Sequence, residues 1–241
     1  MKTCLINQPL GLGDILWVQP IVDHYINNGY TVVYPVGDPY FDIVFSYIKK
    51  DNLQWVRESD DFPLKFLYGM ANKIELGEDI YLPLTNAQSH NSLSLMIGKY
   101  FFAGLPVTDY RDSYKINRDY KREKLLMDTY GLYDDFIIVN EVYGTFPHTK
   151  KHDINIQSDS KVHIMSIQQD IDNNFHIFDW IGALENAKEI HTVGTSICYL
   201  IDKYCNENEI HLYERRTLDE PRTYNREVEG VYRNPRWIYE D

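Results

Sequence analysis

Two short stretches of this chain put small, acidic or hydroxylated residues where a strand hands over to a helix, a place suited to holding a ligand. The first is INQPLGLGDILWVQP, residues 6–20. A β-like run breaks at Gly11-Leu12-Gly13-Asp14 and resumes at once as an apolar stretch with helical spacing. Gly11 and Gly13 would form a tight turn that lets a ligand approach the backbone, and Asp14 would begin the helix. A carboxylate there can accept a proton from a reacting group. It can equally serve as an N-cap or first-turn acid facing the helix dipole. The dinucleotide fingerprint asks for a further glycine where this chain has Leu16, and the Gly-Lys-Ser/Thr of a P-loop is absent, so NAD, FAD and P-loop chemistry are disfavoured.

The second stretch is a strand EIHTV that runs into GTSICYLID. Gly194, Thr195 and Ser196 at such a junction present helix N-terminal N–H groups and two hydroxyls to an anion, although either hydroxyl could simply cap the helix. Between the two lies YGTFPHTKKHD, residues 143–153, the most basic loop of the chain, with His148, Lys150, Lys151 and His152. Its lysines could offset charge on a leaving phosphate or sit solvated. The spacing of His148 and His152 suits a metal only on a helix, which Pro147 argues against. Asp170-Ile171-Asp172 is a D-x-D of the kind that carries Mg or Mn against a diphosphate. Gln168 and Gln169 before it and Asn173 after it read as a loop, and Asp172 and Asn173 could instead face a nucleoside.

The elements that must position these groups alternate. Strands at 3–8, 30–36, 53–58 and 79–85 are separated by helices at 14–28 and 39–50, and a helix over 92–105 stops at Gly104 and Pro106. A charged segment follows, with a helix over 117–132 ending at Gly131. Then come strands at 135–142, 161–167, 189–193 and 209–215 with helices at 178–187 and 195–205. Strands joined by helices pair in parallel through right-handed crossovers. The pattern predicts an α/β protein with two Rossmann-like domains, residues 1–116 and 117–241, and a cleft between them.

Composition narrows the classes. The 241 residues are 44% hydrophobic and 14% aromatic, enough for a substantial core. A net charge of −12 argues against a nucleic-acid surface. The arginines near the end alternate with Glu and Asp and read as a solvated mixed-charge face. No run approaches the ~20 apolar residues of a membrane span, and the start lacks a signal-peptide pattern, so a cytoplasmic location is expected. Cys198 and Cys205 lie about 10 Å apart along one predicted helix at ~1.5 Å per residue, too far to bridge, and Cys4 reads as a buried thiol.

Taken with the stretch from REKLLMDTYGLYDDFIIVNEVYGTF to the GTSICYLID turn, GLGDILWVQP resembles the GT-B glycosyltransferases, especially the ADP-heptose:lipopolysaccharide heptosyltransferase-like family. The resemblance covers the opening 35 residues and roughly 118 to 214. It implies a compact GT-B-like fold with an N-terminal acceptor domain and a C-terminal nucleotide-sugar domain. The implied activity is inverting, metal-independent transfer of a sugar from a nucleotide-diphosphate donor to a glycan or other hydroxyl acceptor, with no cofactor. By the same resemblance Asp14 is the base, Gly11 and Gly13 lie at the acceptor, and Lys150, Lys151, Gly194, Thr195 and Ser196 hold the donor diphosphate. Where the family has Asp-Thr-Gly before its last helix, this chain has Val193-Gly194-Thr195-Ser196. Two other readings stand beside it: a non-catalytic sugar- or nucleotide-binding scaffold, and a metal-dependent GT-A-like transferase using Asp170 and Asp172.

Overall fold

The protein is an α/β chain, described here from a computed structural model over residues 2–9, 11–86, 95–144, 149–165, 175–213 and 231–240. It divides into two units, Met1–Asn117 and Arg118–Asp241.

In the first unit, strands β1 (Lys2–Ile6), β2 (Tyr30–Val36), β3 (Leu53–Arg57), β4 (Ile74–Leu76) and β5 (Asp79–Leu82) form one sheet in the order β3-β2-β1-β5-β4. All neighbours are parallel except the short edge strand β4, which sequence periodicity does not reveal. Six of the seven residues of β2 are buried, as expected for a parallel strand covered on both faces. One face carries Leu5, Val33 and Tyr81 against Phe62 and Leu67 from the β3–β4 connection. The helices are α1 (Leu12–Trp17), α2 (Gln19–Asn27), α3 (Asp38–Tyr47) and α4 (Leu95–Ala103). The single helix expected over 14–28 is two, broken at Val18. Pro20 explains the break, because it has no N–H to give and its ring crowds the carbonyl of Leu16.

In the second unit, β6 (Phe136–Asn140), β7 (Val142–Tyr143), β8 (Lys150–Lys151), β9 (Lys161–Ile164), β10 (Glu189–Val193), β11 (Glu209–Tyr213) and β12 (Trp237–Glu240) alternate with α5 (Tyr120–Tyr130), α6 (Ile181–Asn186) and α7 (Ile197–Tyr204). The main sheet is parallel throughout, in the order β12-β11-β10-β6-β9. Asp119 caps α5 by accepting from the amides of Lys121 and Arg122, and Gly131 ends it in the left-handed region at φ 58°. Ion pairs fix α5 to its neighbours: Arg118 to Glu123 and Glu185, and Arg122 to the buried Asp179 at 2.7 Å. Edge strand β12 is held by Asp202, fully buried on α7, which accepts from the amides of Arg233 and Asn234 and from Trp237 Nε1.

Each sheet reverses its winding once. In the first unit the order runs outward from β1 through β2 and β3, then returns to β5 on the other side of β1. In the second it runs from β6 to β9, then to β10 on the other side of β6. Ligands of open parallel sheets lie outside the carboxyl ends of the strands at such reversals.

Candidate functional site

At the first reversal the backbone joins the strand ends: the amide of Asn7 donates to Leu82 O at 2.9 Å and that of Thr85 to Asn7 O at 3.1 Å. The chain then turns at Gly11, whose φ is 81°. That positive φ favours glycine, and a Cβ there would also push against the Asp14 carboxylate and shift it. Gly13 does not form the turn. It lies inside α1, which starts at Leu12, two residues before the expected start. Gly11 holds the N-cap position, so Asp14 is a first-turn carboxylate whose side chain does not cap the helix.

Asp14 is about a third exposed and its Oδ1 lies 2.6 Å from Lys99 Nζ. Lys99 projects from α4, is 5% exposed, and donates also to Gln8 Oε1. Helix α4 is fixed to α1 by Trp17 Nε1, which donates to Met96 O, and by the Tyr100 hydroxyl, which donates to Trp17 O. Burial pushes the Lys99 ammonium below the usual lysine range, and the Asp14 carboxylate opposes that push. The negative field of Asp14 also reaches Tyr34 and Tyr40: burial raises both phenols, and Asp14 raises them further. The Tyr34 hydroxyl is buried with no hydrogen-bond partner among the described residues. Sequence reasoning missed Lys99. The signal was its standing as the one charge in the apolar stretch SLSLMIGKYFFAGL.

At the second reversal the end of β10 enters Gly194-Thr195-Ser196 and α7. Ser196 takes the N-cap position, and its side chain makes no capping hydrogen bond. Buried Asn140, at the end of β6, crosses to this turn: its Nδ2 donates to Thr192 Oγ1 at 2.9 Å and to Thr195 Oγ1 at 3.1 Å. The next residue, Glu141, is buried and lies 3.1 Å from Lys151 Nζ, with its Oε1 accepting from the amide of Ile154. Asn140 with Thr192 and Thr195, and Glu141 with Lys151, are two separate sets of contacts that leave successive residues at the end of β6.

The basic loop is a hairpin, β7 against β8, with Tyr143 opposite Lys150 and Val142 opposite Lys151. Lys151 is engaged by Asp153 at 2.9 Å as well as by Glu141, and these hydrogen bonds and charges hold its ammonium above the usual range. Adjacent strand residues point to opposite faces, so Lys150 leaves the hairpin away from that pair. His152 stands with its ring 5.8 Å from Tyr213, whose hydroxyl lies 2.9 Å from His191 Nδ1. His191 in turn stacks on His211 with ring centroids 4.3 Å apart. Burial and His211 hold His191 below the ordinary histidine range, against the pull of Glu189.

His148, Asp170, Asp172 and Asn173 lie outside the described residues. Among the described residues no group of three or more His, Cys, Asp and Glu side chains could hold a metal ion. Nor is any helix among them long and apolar enough to cross a membrane.

Two reversing sheets, parallel but for β4, each with its candidate residues beyond the strand carboxyl ends, make Rossmann-like units of the GT-B kind. Solved structures agree on the fold. The chain is similar to a glycosyl transferase family 9 protein from Veillonella parvula, with a TM-score of 0.56 at 11% identity over 98% of this chain and 93% of that one. It is also similar to the iron-containing dodecameric glycosyltransferase TibC from enterotoxigenic E. coli, with a TM-score of 0.50 at 9% identity over all of this chain and 63% of that one. The TibC heptosyltransferase in complex with ADP-D-beta-D-heptose gives 0.52 at the same identity and coverage. No family model matches the chain, and no curated protein matches it in sequence.

Proposed function

We propose that this protein is a glycosyltransferase that moves a sugar from a nucleotide-diphosphate donor to a hydroxyl acceptor with inversion and without a metal ion. The observation that carries the reading is the presence of complementary groups at the two reversals: the carboxylate of Asp14 in one unit, and in the other the Gly194-Thr195-Ser196 turn, to which Asn140 donates. TibC, one of the similar structures, is a heptosyltransferase seen with ADP-D-beta-D-heptose, which supports a nucleotide-sugar donor for this chain.

In this reading the first unit receives the acceptor at Gly11 and Gly13. Asp14 Oδ2 takes the hydroxyl proton as the acceptor oxygen attacks the anomeric carbon from the side opposite the diphosphate. Lys99 holds Oδ1, so the carboxylate keeps one orientation. A carboxylate is a weak base, and its contribution here lies in position and in late proton transfer. In the second unit the start of α7, the hydroxyls of Thr195 and Ser196, and Lys150 stabilise the departing diphosphate. The nucleoside would then extend toward Asp172 and Asn173.

A non-catalytic binding scaffold is favoured by one observation, the close pairing of Asp14 with Lys99, which on its own would be a structural role. One experiment separates the two readings. A panel of nucleotide sugars is screened for thermal stabilisation, where a ligand at about 100 times its Kd adds roughly 2.7 kcal/mol. Each stabilising compound is then assayed for release of nucleoside diphosphate with hydroxyl acceptors. Stabilisation with release supports the transferase, and stabilisation without release supports the scaffold. No stabilisation by any donor would overturn both.

A further inference from the structure

Asn140 is buried, and both hydrogens of its amide are directed at threonine hydroxyls. Proton counting fixes that orientation. Thr192 has one hydroxyl proton, and it goes to Val193 O at 2.8 Å, so Thr192 Oγ1 can only accept from Asn140. The amide nitrogen therefore faces the threonines, and Thr195 Oγ1 accepts as well. Thr195 is half-buried at the mouth of the turn, and its own proton meets no acceptor among the described residues. A hydroxyl with one of its two lone pairs taken by a donor keeps its hydrogen for whatever enters and has one lone pair fewer to offer.

We propose that Asn140 is a positioning residue: it sets the Thr195 hydroxyl as a hydrogen-bond donor, so that the turn favours an acceptor-only ligand, the phosphate oxygens of a nucleoside diphosphate. The inference rests on the transferase reading and adds to it a residue that acts from beneath the turn without touching the donor. Its physical content is polarity. An ionised phosphate accepts and does not donate, so a rotatable hydroxyl free to point its lone pair outward would be a poorer partner than one held with its hydrogen outward. Asn is the side chain that can hold two hydroxyls in this sense at once. Asp, of the same size, would accept from both and reverse them.

The test measures binding of inorganic pyrophosphate and of ADP, GDP, UDP and CDP by titration calorimetry, with thermal melting as the control for folding. Asn140→Asp should weaken the best diphosphate at least 10-fold at a melting temperature near that of the parent. Asn140→Ala should weaken it less, and Thr195→Val by several fold. In the double variant Asn140→Ala/Thr195→Val the loss should equal that of Thr195→Val alone, because Asn140 acts through that hydroxyl. Thr195→Ser, which keeps the hydroxyl, should recover most of the affinity that Thr195→Val loses. Additive losses, or full affinity in Asn140→Asp, would overturn the proposal while leaving the transferase reading intact. Should the Asn140 variants fail to fold, Thr195→Val decides alone: half-buried at the surface, it must lose affinity, and unchanged binding overturns the inference. Absence of binding to the parent protein by every probe would instead remove the donor site itself, and the inference with it.

Discussion

At the carboxyl edge of the first sheet the candidate residues form an ion pair. Asp14 and Lys99 meet at 2.6 Å, one a third exposed and the other almost wholly buried. At the edge of the second sheet the groups around the turn are neutral: an amide on Asn140 and hydroxyls on Thr192, Thr195 and Ser196, with the charged Glu141–Lys151 pair set one residue further on. The difference teaches what each edge can do. An ion pair holds a charge in place, and its sensitivity is to loss of a partner, because a buried charge left alone is costly. A hydroxyl network holds a direction, and its sensitivity is to reversal of donor and acceptor. A base needs the first property, and a cradle for phosphate oxygens needs the second.

The largest effect expected from breaking this contrast is on turnover. Asn at position 14 keeps the size of Asp but accepts no proton, so Asp14→Asn should lower kcat by about 10²–10⁴ while diphosphate affinity stays within two-fold of the parent, roughly the range for removing a general base. Steady-state kinetics on the substrate found by screening checks it, and full turnover would take Asp14 out of the reaction. The same variant strands the Lys99 ammonium and should cost about 1–3 kcal/mol of stability, less than a fully buried pair because Asp14 is partly solvated. Adding Lys99→Met to it should recover most of that loss in denaturant melts. No recovery would mean that the pairing is not what the single variant breaks.

On the second unit the effect falls on affinity. Thr195→Leu places a bulky apolar group in the turn and should weaken nucleoside diphosphate binding about 10-fold or more, since the lost contact is a charge-assisted hydrogen bond. The two hairpin lysines should then separate. Lys150→Ala should weaken pyrophosphate binding by roughly 3-fold at low salt and less at high salt, as screening shortens the reach of an exposed charge. Lys151→Ala should act mainly on thermal stability, because Lys151 is already engaged by Glu141 and Asp153. Equal salt-dependent losses in both would show that the pairing does not withhold Lys151 from a ligand.

A smaller effect concerns pH. His191 has a folded pKa below its unfolded value, so the unfolded chain binds more protons through that interval. Its contribution is present above the unfolded value, ~6.5, and is lost as pH falls below it toward the folded value. His191→Gln should flatten the decline of stability below about pH 6.5, as seen in urea melts at stepped pH. A steeper decline would reverse the sign assigned to this group. Smallest of all should be the effect of chelation: EDTA is expected to leave turnover unchanged, and loss with recovery in Mn or Mg would shift the donor site to Asp170 and Asp172.

Much of the framework was legible along the chain. The strands at 30–36 and 189–193 are found with the ends that their composition indicates, and Gly131 stops α5 as expected. Gly11 stands at a turn with positive φ, as expected, whereas Gly13, expected in the same turn, lies inside α1. What was hidden is short or non-local. Strands β4, β7 and β8 are two or three residues long, too short for any period to show, and β12 follows a mixed-charge stretch and depends on Asp202 for its place. The helix over 14–28 failed as one element because a single Pro20 outweighed the apolar spacing on either side of it.

The sequence by itself determined the alternation of strands and helices and marked Gly11-Leu12-Gly13-Asp14 and Gly194-Thr195-Ser196 as junctions, because backbone conformation at a turn depends on the few residues that make it. Only the tertiary structure decided what stands beside those junctions. It brought Lys99 to Gln8 across 91 residues and to Asp14, and Asn140 to Thr195 across 55. Such partners are fixed by the order of strands in the sheet and by the packing of helices on it, and no local pattern in the chain encodes a meeting that distant.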